Sequence, residues 1–304
     1  VNSPAANISQ SAVDIPGPDA DDLTLWSVTT IIGVIDKSGP LKYWAAGLVA
    51  DAALDNQATW QAMLTERGRP ETWKWLRNAF TRPAKNTLPA TDLGAIVHDV
   101  CETYALTGTK PDRAYVQDRI TQQHPDVNID TETNLVGVML NQFDDWLTRF
   151  QPAYQATEVT VYNETYGYAG TLDAILTIDG TRFITDYKTS REPFDSYGKP
   201  RTPYPEQVGL QLGAYRHAEG AAVWRPRRYE KQFRRYYALS PAERDMAVPV
   251  PHVDTGLVIQ ITPESCAAYP IVCDRPVFDA FLYCQELFRW QQETSKTVMG
   301  EPLR

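Results

Sequence analysis

Hydrophobic and polar positions along the chain first follow a helical period, then a two-residue period, then a helical one again. Residues 1–22 are rich in Pro, Asp, Ser and Ala and read as a flexible arm. From Ser27 a short capped helix begins, and Ser38-Gly39-Pro40 stops it. Residues 41–55 are Ala-rich and helical, with Leu41, Trp44, Ala45, Leu48 and Val49 on one face. Two further short helices cover 60–63 and 71–80, and Trp73, Trp75, Leu76 and Phe80 are expected in a core. Residues 23–90 thus read as an N-terminal helical region, with a linker at 86–89. Thr91 or Asp92 caps the next helix, which runs to about Thr107 and buries Leu93, Ile96, Val97, Val100 and Tyr104. A polar helix or loop occupies 111–124. The span 132–154 is a long amphipathic helix, with Leu135, Val138, Met139, Phe143, Trp146, Leu147 and Phe150 inward.

The period then changes to two. Residues 156–164 alternate as a strand, with Val159 and Val161 against Thr160 and Tyr162. Strands over 168–178 and 182–188 flank Asp179-Gly180, a dipeptide suited to a tight hairpin turn. In the first of them Leu172, Ala174, Leu176 and Ile178 alternate with Asp173, Ile175 and Thr177. A Pro- and Gly-broken loop at 191–205 leads into a helix over 206–219, where Gln207, Gln211 and Tyr215 share one face at successive i+4 spacings. After a Pro-rich connection at 240–254, residues 256–262 form a strand with 268–273 paired to it, and 276–293 close the chain as a helix. The fold class is α/β: a mixed sheet of about four or five strands flanked by helices.

The hairpin carries the candidate chemistry. Asp173 and Asp186 fall on paired strands, and Lys188, two residues beyond Asp186, leaves the same face. Asp and Lys are disfavoured in apolar strands, so three of them converging there point to a task. Hard carboxylate oxygens suit Mg²⁺, and a nearby ammonium can orient or help deprotonate water, or stabilise phosphorane-like charge. His98 sits beside the apolar face of its helix, either as a hydrogen-bonded core histidine or as a neutral metal ligand. Glu102 follows at i+4, placed to orient that imidazole or to be solvated.

Four motifs together resemble the RecB-type branch of the PD-(D/E)XK nucleases: Gly94-Ala-Ile-Val-His98 with Glu102; Gly170-x-x-Asp173; Asp186-Tyr187-Lys188-Thr189-Ser190; and Gln211-x-x-x-Tyr215. They occur in the family's order and span roughly residues 91–216. The resemblance implies a restriction-endonuclease-like α-β-β-β-α-β core within residues 91–304. It implies that His98, Asp173, Asp186 and the Tyr187 carbonyl hold one or two Mg²⁺ or Mn²⁺ ions. Lys188 would orient the attacking water, and Gln211 and Tyr215 would position the nucleic acid strand or Lys188. Glu158, where such sequences often carry a Glu, is either a supporting residue or a plain strand residue. The implied activity is DNA exonuclease rather than endonuclease, in recombination, repair or processing. The branch's short standalone members include viral recombination exonucleases and CRISPR-associated adaptation nucleases. A non-catalytic DNA-binding or scaffold protein on the same fold is the alternative, and a hydrolase of small phosphate esters is a second one.

Charge sharpens the picture. The net charge is -9, so any grip on a polyanion must be local. Residues 224–237 hold Arg225, Arg227, Arg228, Lys231, Arg234 and Arg235 against Glu230 alone, interleaved with Trp224, Tyr229, Phe233, Tyr236 and Tyr237. They read as a basic insertion (224–254) that neutralises phosphates and stacks bases. Arg191, Lys199 and Arg201 in the loop after Lys188 should border the site. Cys101, Cys266, Cys273 and Cys284 echo in count and order the iron–sulfur layout of some relatives of this branch. With no C-x-x-C pair, however, buried free thiols are expected and an iron–sulfur cluster is not. Neither a signal peptide nor a membrane span is evident, so a cytoplasmic location is expected, in a host cell if the chain is viral. With no Walker motif, any unwinding would come from a partner helicase. DNA, a single-strand annealing protein and a second copy of the chain are the other candidate partners.

Overall fold

A computed structural model describes residues 18–35, 38–78, 86–195, 198–222, 226–231 and 234–302. In chain order the strands and helices are β1 Leu23–Ser27, α1 Val28–Ile31, α2 Ser38–Asp55, α3 Gln57–Arg77, α4 Ala90–Thr107, α5 Arg113–Gln123 and α6 Ile129–Phe150. The meander β2 Ala153–Asn163, β3 Tyr168–Ile178 and β4 Thr181–Thr189 follows, then α7 Pro205–Arg216. The remainder is β5 Gly220–Ala221, β6 Arg227–Lys231, β7 Arg234–Leu239, α8 Pro241–Met246, β8 Val248–Pro249, β9 Thr255–Ile261, β10 Cys266–Ile271 and α9 Arg275–Gln292. The succession α4, β2, β3, β4, α7, β9 is the α-β-β-β-α-β core read from the sequence. Most of the basic stretch, Trp224, Arg225, Gln232 and Phe233 excepted, falls within the described residues. Most of the N-terminal arm, and Phe80, lie outside them.

Asp179 and Gly180 turn the β3–β4 hairpin with φ of 48° and 82°. Two consecutive left-handed residues match the right-handed twist of the flanking strands. β4 then runs parallel to β9, from Phe183 opposite Thr255 to Thr189 opposite Ile261. One continuous sheet has the order β10-β9-β4-β3-β1-β7-β6, with β2 on the other edge of β3 and β5 and β8 beyond it. Among the described residues ten strands therefore replace the four or five expected. Most of the additional ones come from β1 and the β6–β7 hairpin. β1 pairs antiparallel with β7 and parallel with the start of β3, Trp26 opposite Tyr168. The region expected to be wholly helical thus begins with a strand, and the expected basic insertion is part of the sheet. LTLWS is too short for its alternation to be distinguished from a helix start, and its partners lie far along the chain.

Two cores cover the two faces of the sheet. On one, α1, α7 and α9 bury Ile31, Leu212, Phe278 and Phe281 against Tyr168, Leu172, Ile175 and Ile184. On the other, α4, α5 and α6 bury Ile96, Val100, Ile120, Met139, Phe143 and Trp146 against Leu176, Tyr187 and Ile259. Each such side chain taken from water contributes about 1.5–3 kcal/mol. The expected strict alternation of β3 fails once. Leu172 and Ile175 join the α7 core, whereas Leu176 and Ile178 pack with the α6 core. The phase slips between Leu172 and Ile175, and the register of β2 against β3 shifts close by, between Tyr154 and Ala156. Some residues expected inward are exposed, namely Val138, Phe150 and Trp73, because α6 packs through a narrower stripe than its sequence offers and Trp73 carries a cation–π contact with Arg77.

Candidate active site

The site begins as a gap in hydrogen bonding. On one edge of β3, residues 174–178 pair with β4 and residues 168–169 pair with β1. Among the described residues, 170–173 have no strand partner on that edge. The last rung joins Ala174 to Thr185, and beyond it β4 parts from β3. The next free amide, Tyr187 N–H, donates instead to the Asp173 carboxylate at 2.5 Å. Splaying two paired strands opens a cleft floored by backbone, and the two aspartates sit at its mouth.

Side chains from both faces meet in this cleft. Asp186 and Lys188 leave β4 toward α7, while Tyr187 turns to the other core, where its hydroxyl meets Tyr154 Oη at 2.9 Å. Only the Tyr187 backbone is left to serve the site. Lys188 Nζ forms an ion pair with Asp186 Oδ2 and donates to Gln211 Oε1 at 3.2 Å. Gln211 Nε2 donates to Asp186 Oδ1 at 2.7 Å and lies 3.2 Å from Tyr215 Oη. One amide thus ties the acid, the base and the tyrosine together. Tyr215 fits because Gly170 lies in the gap, where a Cβ would overlap the tyrosine ring. From the opposite face His98 Nδ1 comes within 3.6 Å of Asp173 Oδ1, with its ring edge-on to Tyr187. Gly94, one turn earlier, lets α4 approach closely, since a Cβ there would meet Thr189 Oγ1 at 3.1 Å.

Their partners, rather than their burial, divide the two carboxylates. For Asp173, desolvation works to raise the pKa, but the His98 charge and hydrogen bond, the Tyr187 amide and Lys188 outweigh it and hold the carboxyl below its usual value. For Asp186, desolvation prevails, with the Asp173 charge adding to it, so its pKa is raised despite Lys188. Burial alone would lower both His98 and Lys188, yet Asp173 and Asp186 respectively raise them. Two neighbouring buried acids pushed in opposite directions are a feature that functional sites share.

The donor set suits a hard divalent cation. Asp186 Oδ2 is buried and is met by the Lys188 ammonium, which pairs with it. A metal ion bound there would have to take that oxygen from the ammonium or share it. Among the described residues no three His, Cys, Asp or Glu side chains converge as a ready-made metal cage. The ligand set expected from the motifs is therefore only partly assembled, because Lys188 lies against Asp186 and Asp173 is engaged by His98 and Tyr187.

Other expected residues are distributed less uniformly. Glu158 lies across β2 from Asp173, between the rungs Thr157–Ala174 and Val159–Leu172, with φ of 50°. A non-glycine residue held there costs about 1–3 kcal/mol, and such strain gathers at working sites. Glu102 accepts from Thr157 Oγ1 at 3.2 Å, which directs it toward β2. Arg191 does not face the cleft as expected. Its guanidinium is held by fully buried Glu132, with Nη2–Oε2 at 2.7 Å, and by Leu88 O. Arg227 is likewise engaged, by Asp22 at 2.7 Å. Lys199 and Arg201 are exposed in the loop before α7, and Arg201 lines a cavity that reaches Lys188. Arg228 is exposed on β6 and shares a small pocket with Glu158, Thr160 and Thr171. Arg235 is exposed on β7. Arg225 and the side chains of Lys231 and Arg234 lie outside the description. Sequence reasoning passed over Gln260, the lone polar residue within GLVIQI, whose neighbour across the parallel ladder is Lys188. A polar residue interrupting a buried strand was the available signal.

The family model of the PD-(D/E)XK nuclease superfamily matches residues 70–298, about three quarters of the chain. The chain belongs to the PD-(D/E)XK nuclease superfamily. None of the curated proteins matches it. Among solved structures, SSO0001 is similar at 17% identity over 70% of this chain and 80% of that one, with a TM-score of 0.27, too low to add to the assignment. No helix among the described residues is long and apolar enough to cross a membrane.

Proposed function

We propose that the protein is a divalent-metal-dependent deoxyribonuclease, acting as an exonuclease. The observation that carries this reading is the parting of β3 and β4 at Asp173 and Asp186, with Lys188 and Gln211 locked onto Asp186. Asp173, Asp186 and the Tyr187 carbonyl would hold Mg²⁺ or Mn²⁺, with His98 supporting Asp173. A bound divalent ion supplies Lewis-acid polarisation of the phosphate and a lowered pKa for its water. Lys188 holds its proton through Asp186 and presents the ammonium to the water or the phosphate. Gln211 fixes Lys188 and Asp186 relative to each other, and Tyr215 braces Gln211 from below. Among the described residues, Lys199, Arg201 and Arg228 are exposed cations that we assign to the substrate's phosphates. A role in recombination, repair or DNA processing, alongside an annealing protein or a helicase, is the setting this activity fits.

The test is digestion of end-labelled single-stranded and duplex DNA with Mg²⁺ or Mn²⁺. Asp186→Asn and Lys188→Ala should each lower cleavage by about three orders of magnitude or more while the far-UV spectrum stays unchanged. Wild-type turnover in either folded variant rejects the assignment, and mononucleotide release from ends separates exonuclease from endonuclease.

A further inference from the structure

A cavity of about 460 Å³ opens directly beside Lys188. That volume lies at the lower end of the range for small-molecule sites, about 300–1,000 Å³. Its walls come from the end of β4, the loop that follows, the first turn of α7, and β9. Gln260 on β9 is 94% buried and points from the same sheet face as Lys188, its partner in the parallel ladder. Gln207 reaches in from α7. Neither side-chain amide has a hydrogen-bond partner among the described residues, although both line the cavity. Their amide groups are open to the cavity, so they are free to bond whatever fills it. Pro203 and Val208 offer apolar walls, and the half-exposed ring of Tyr204 stands at the opening. Arg201 is at the exposed rim.

We infer that this cavity is a nucleobase pocket, which takes the base of the nucleotide next to the scissile phosphate. This inference rests on the nuclease reading above. The charge layout selects a base rather than a second phosphate. Of the two cations that line it, Arg201 is exposed at the rim and Lys188 is already paired with Asp186, the remaining inner donors include the neutral amides of Gln207 and Gln260, and Asp195 in the lining would repel an anion. A primary amide presents one acceptor and two donors, the complement of a base edge. Tyr204 and Pro203 supply the flat apolar surfaces on which any base stacks. A base inside a duplex cannot reach such a pocket without leaving its stack. The substrate class is therefore DNA whose end is single-stranded or frayed by at least one nucleotide.

Two measurements test this. In the first, single-stranded oligonucleotides carry one abasic residue at successive positions near the labelled end. Wild-type protein with Mg²⁺ should cleave about tenfold more slowly when the abasic residue adjoins the scissile bond, and normally at other positions. Tyr204→Ala and Gln260→Leu should slow the intact oligonucleotide and lose most of that positional effect. Equal tolerance of abasic residues at every position overturns the pocket and leaves the nuclease reading intact.

In the second, 2-aminopurine replaces one base at a time, with Ca²⁺ in place of Mg²⁺. One position near the end should change fluorescence on binding. Asp186→Asn should keep that change, whereas Tyr204→Ala should abolish it. A signal independent of position, or unaltered in Tyr204→Ala, overturns the inference even if no cleavage is ever observed. Tyr204 lies in an exposed loop, so its variant keeps the test open should Gln260→Leu fail to fold.

Discussion

A methyl group added at Gly170 would lie well inside van der Waals contact with the Tyr215 ring, which is itself nearly fully buried and cannot swing away. Gly170→Ala should therefore cost about 1–3 kcal/mol by overpacking. It should also displace Gln211 from Asp186 and reduce cleavage, although it touches neither metal ligands nor substrate. Thermal melting together with DNA digestion checks both effects, and a variant with wild-type melting and turnover would refute the packing argument. The cysteines make a separate case. Burial pushes the Cys101 thiol well above its usual range, with Cys266 and Asp173 adding to the effect, and it pushes Cys266 up to about 12. Both thiols stay protonated at pH 8, so native protein should alkylate at these positions far more slowly than unfolded protein, as peptide mass spectrometry would show. The linkage has a definite sign. Above about pH 8.5 the unfolded chain gives up protons that the folded chain retains, so these two groups subtract stability as pH rises.

At the scale of elements, the loop after β4 is tied down by an ion pair rather than left free to grip a substrate. Arg191 joins that loop to α6 through Glu132 and to the segment before α4 through Leu88 O. Removing the arginine strands a fully buried carboxylate. Arg191→Ala should cost about 3–5 kcal/mol in urea denaturation, and Arg191→Ala with Glu132→Leu should recover much of it. An undiminished midpoint in the single variant would return Arg191 to the substrate-facing set. Here the limit of the sequence is visible. The hairpin, Asp173, Asp186, Lys188 and the Gln211–Tyr215 face were legible because local period and spacing fix them. Which partner an arginine takes is decided by α6 packing across the sheet, and Arg191 and Arg201 look alike in one dimension. The parting of β3 from β4 was equally hidden. It depends on β1, whose five residues gain strand character only from neighbours far away in the chain.

For the whole molecule, the negative net charge places the burden of holding DNA on few cations. Arg227 and Arg191 are spent on internal carboxylates, whereas Arg201 lines the cavity by Lys188, Lys199 is exposed in the same loop and Arg228 stands beside Glu158. Replacing these three by Ala should lower the log–log salt slope of single-strand binding by about two units. Arg227→Ala should instead leave the slope unchanged and lower stability. Anisotropy over a salt series in Ca²⁺ measures both, and an equal loss of slope in Arg227→Ala would contradict the division of labour.

The strand β1 also sets a timetable. Its partners are Tyr168 and Ala169 on one side and Tyr236 to Leu239 on the other, so each contact spans well over a hundred residues. On a ribosome adding about 5–20 residues per second, β1 emerges many seconds before the strand that covers its second edge. Until then Leu25, which ends fully buried, has nowhere to go, and an unpaired edge waits in solution. The order of synthesis thus makes the oldest strand in the sheet one of the last to be enclosed. The far wing, β7 and β6, docks only when that wait is over.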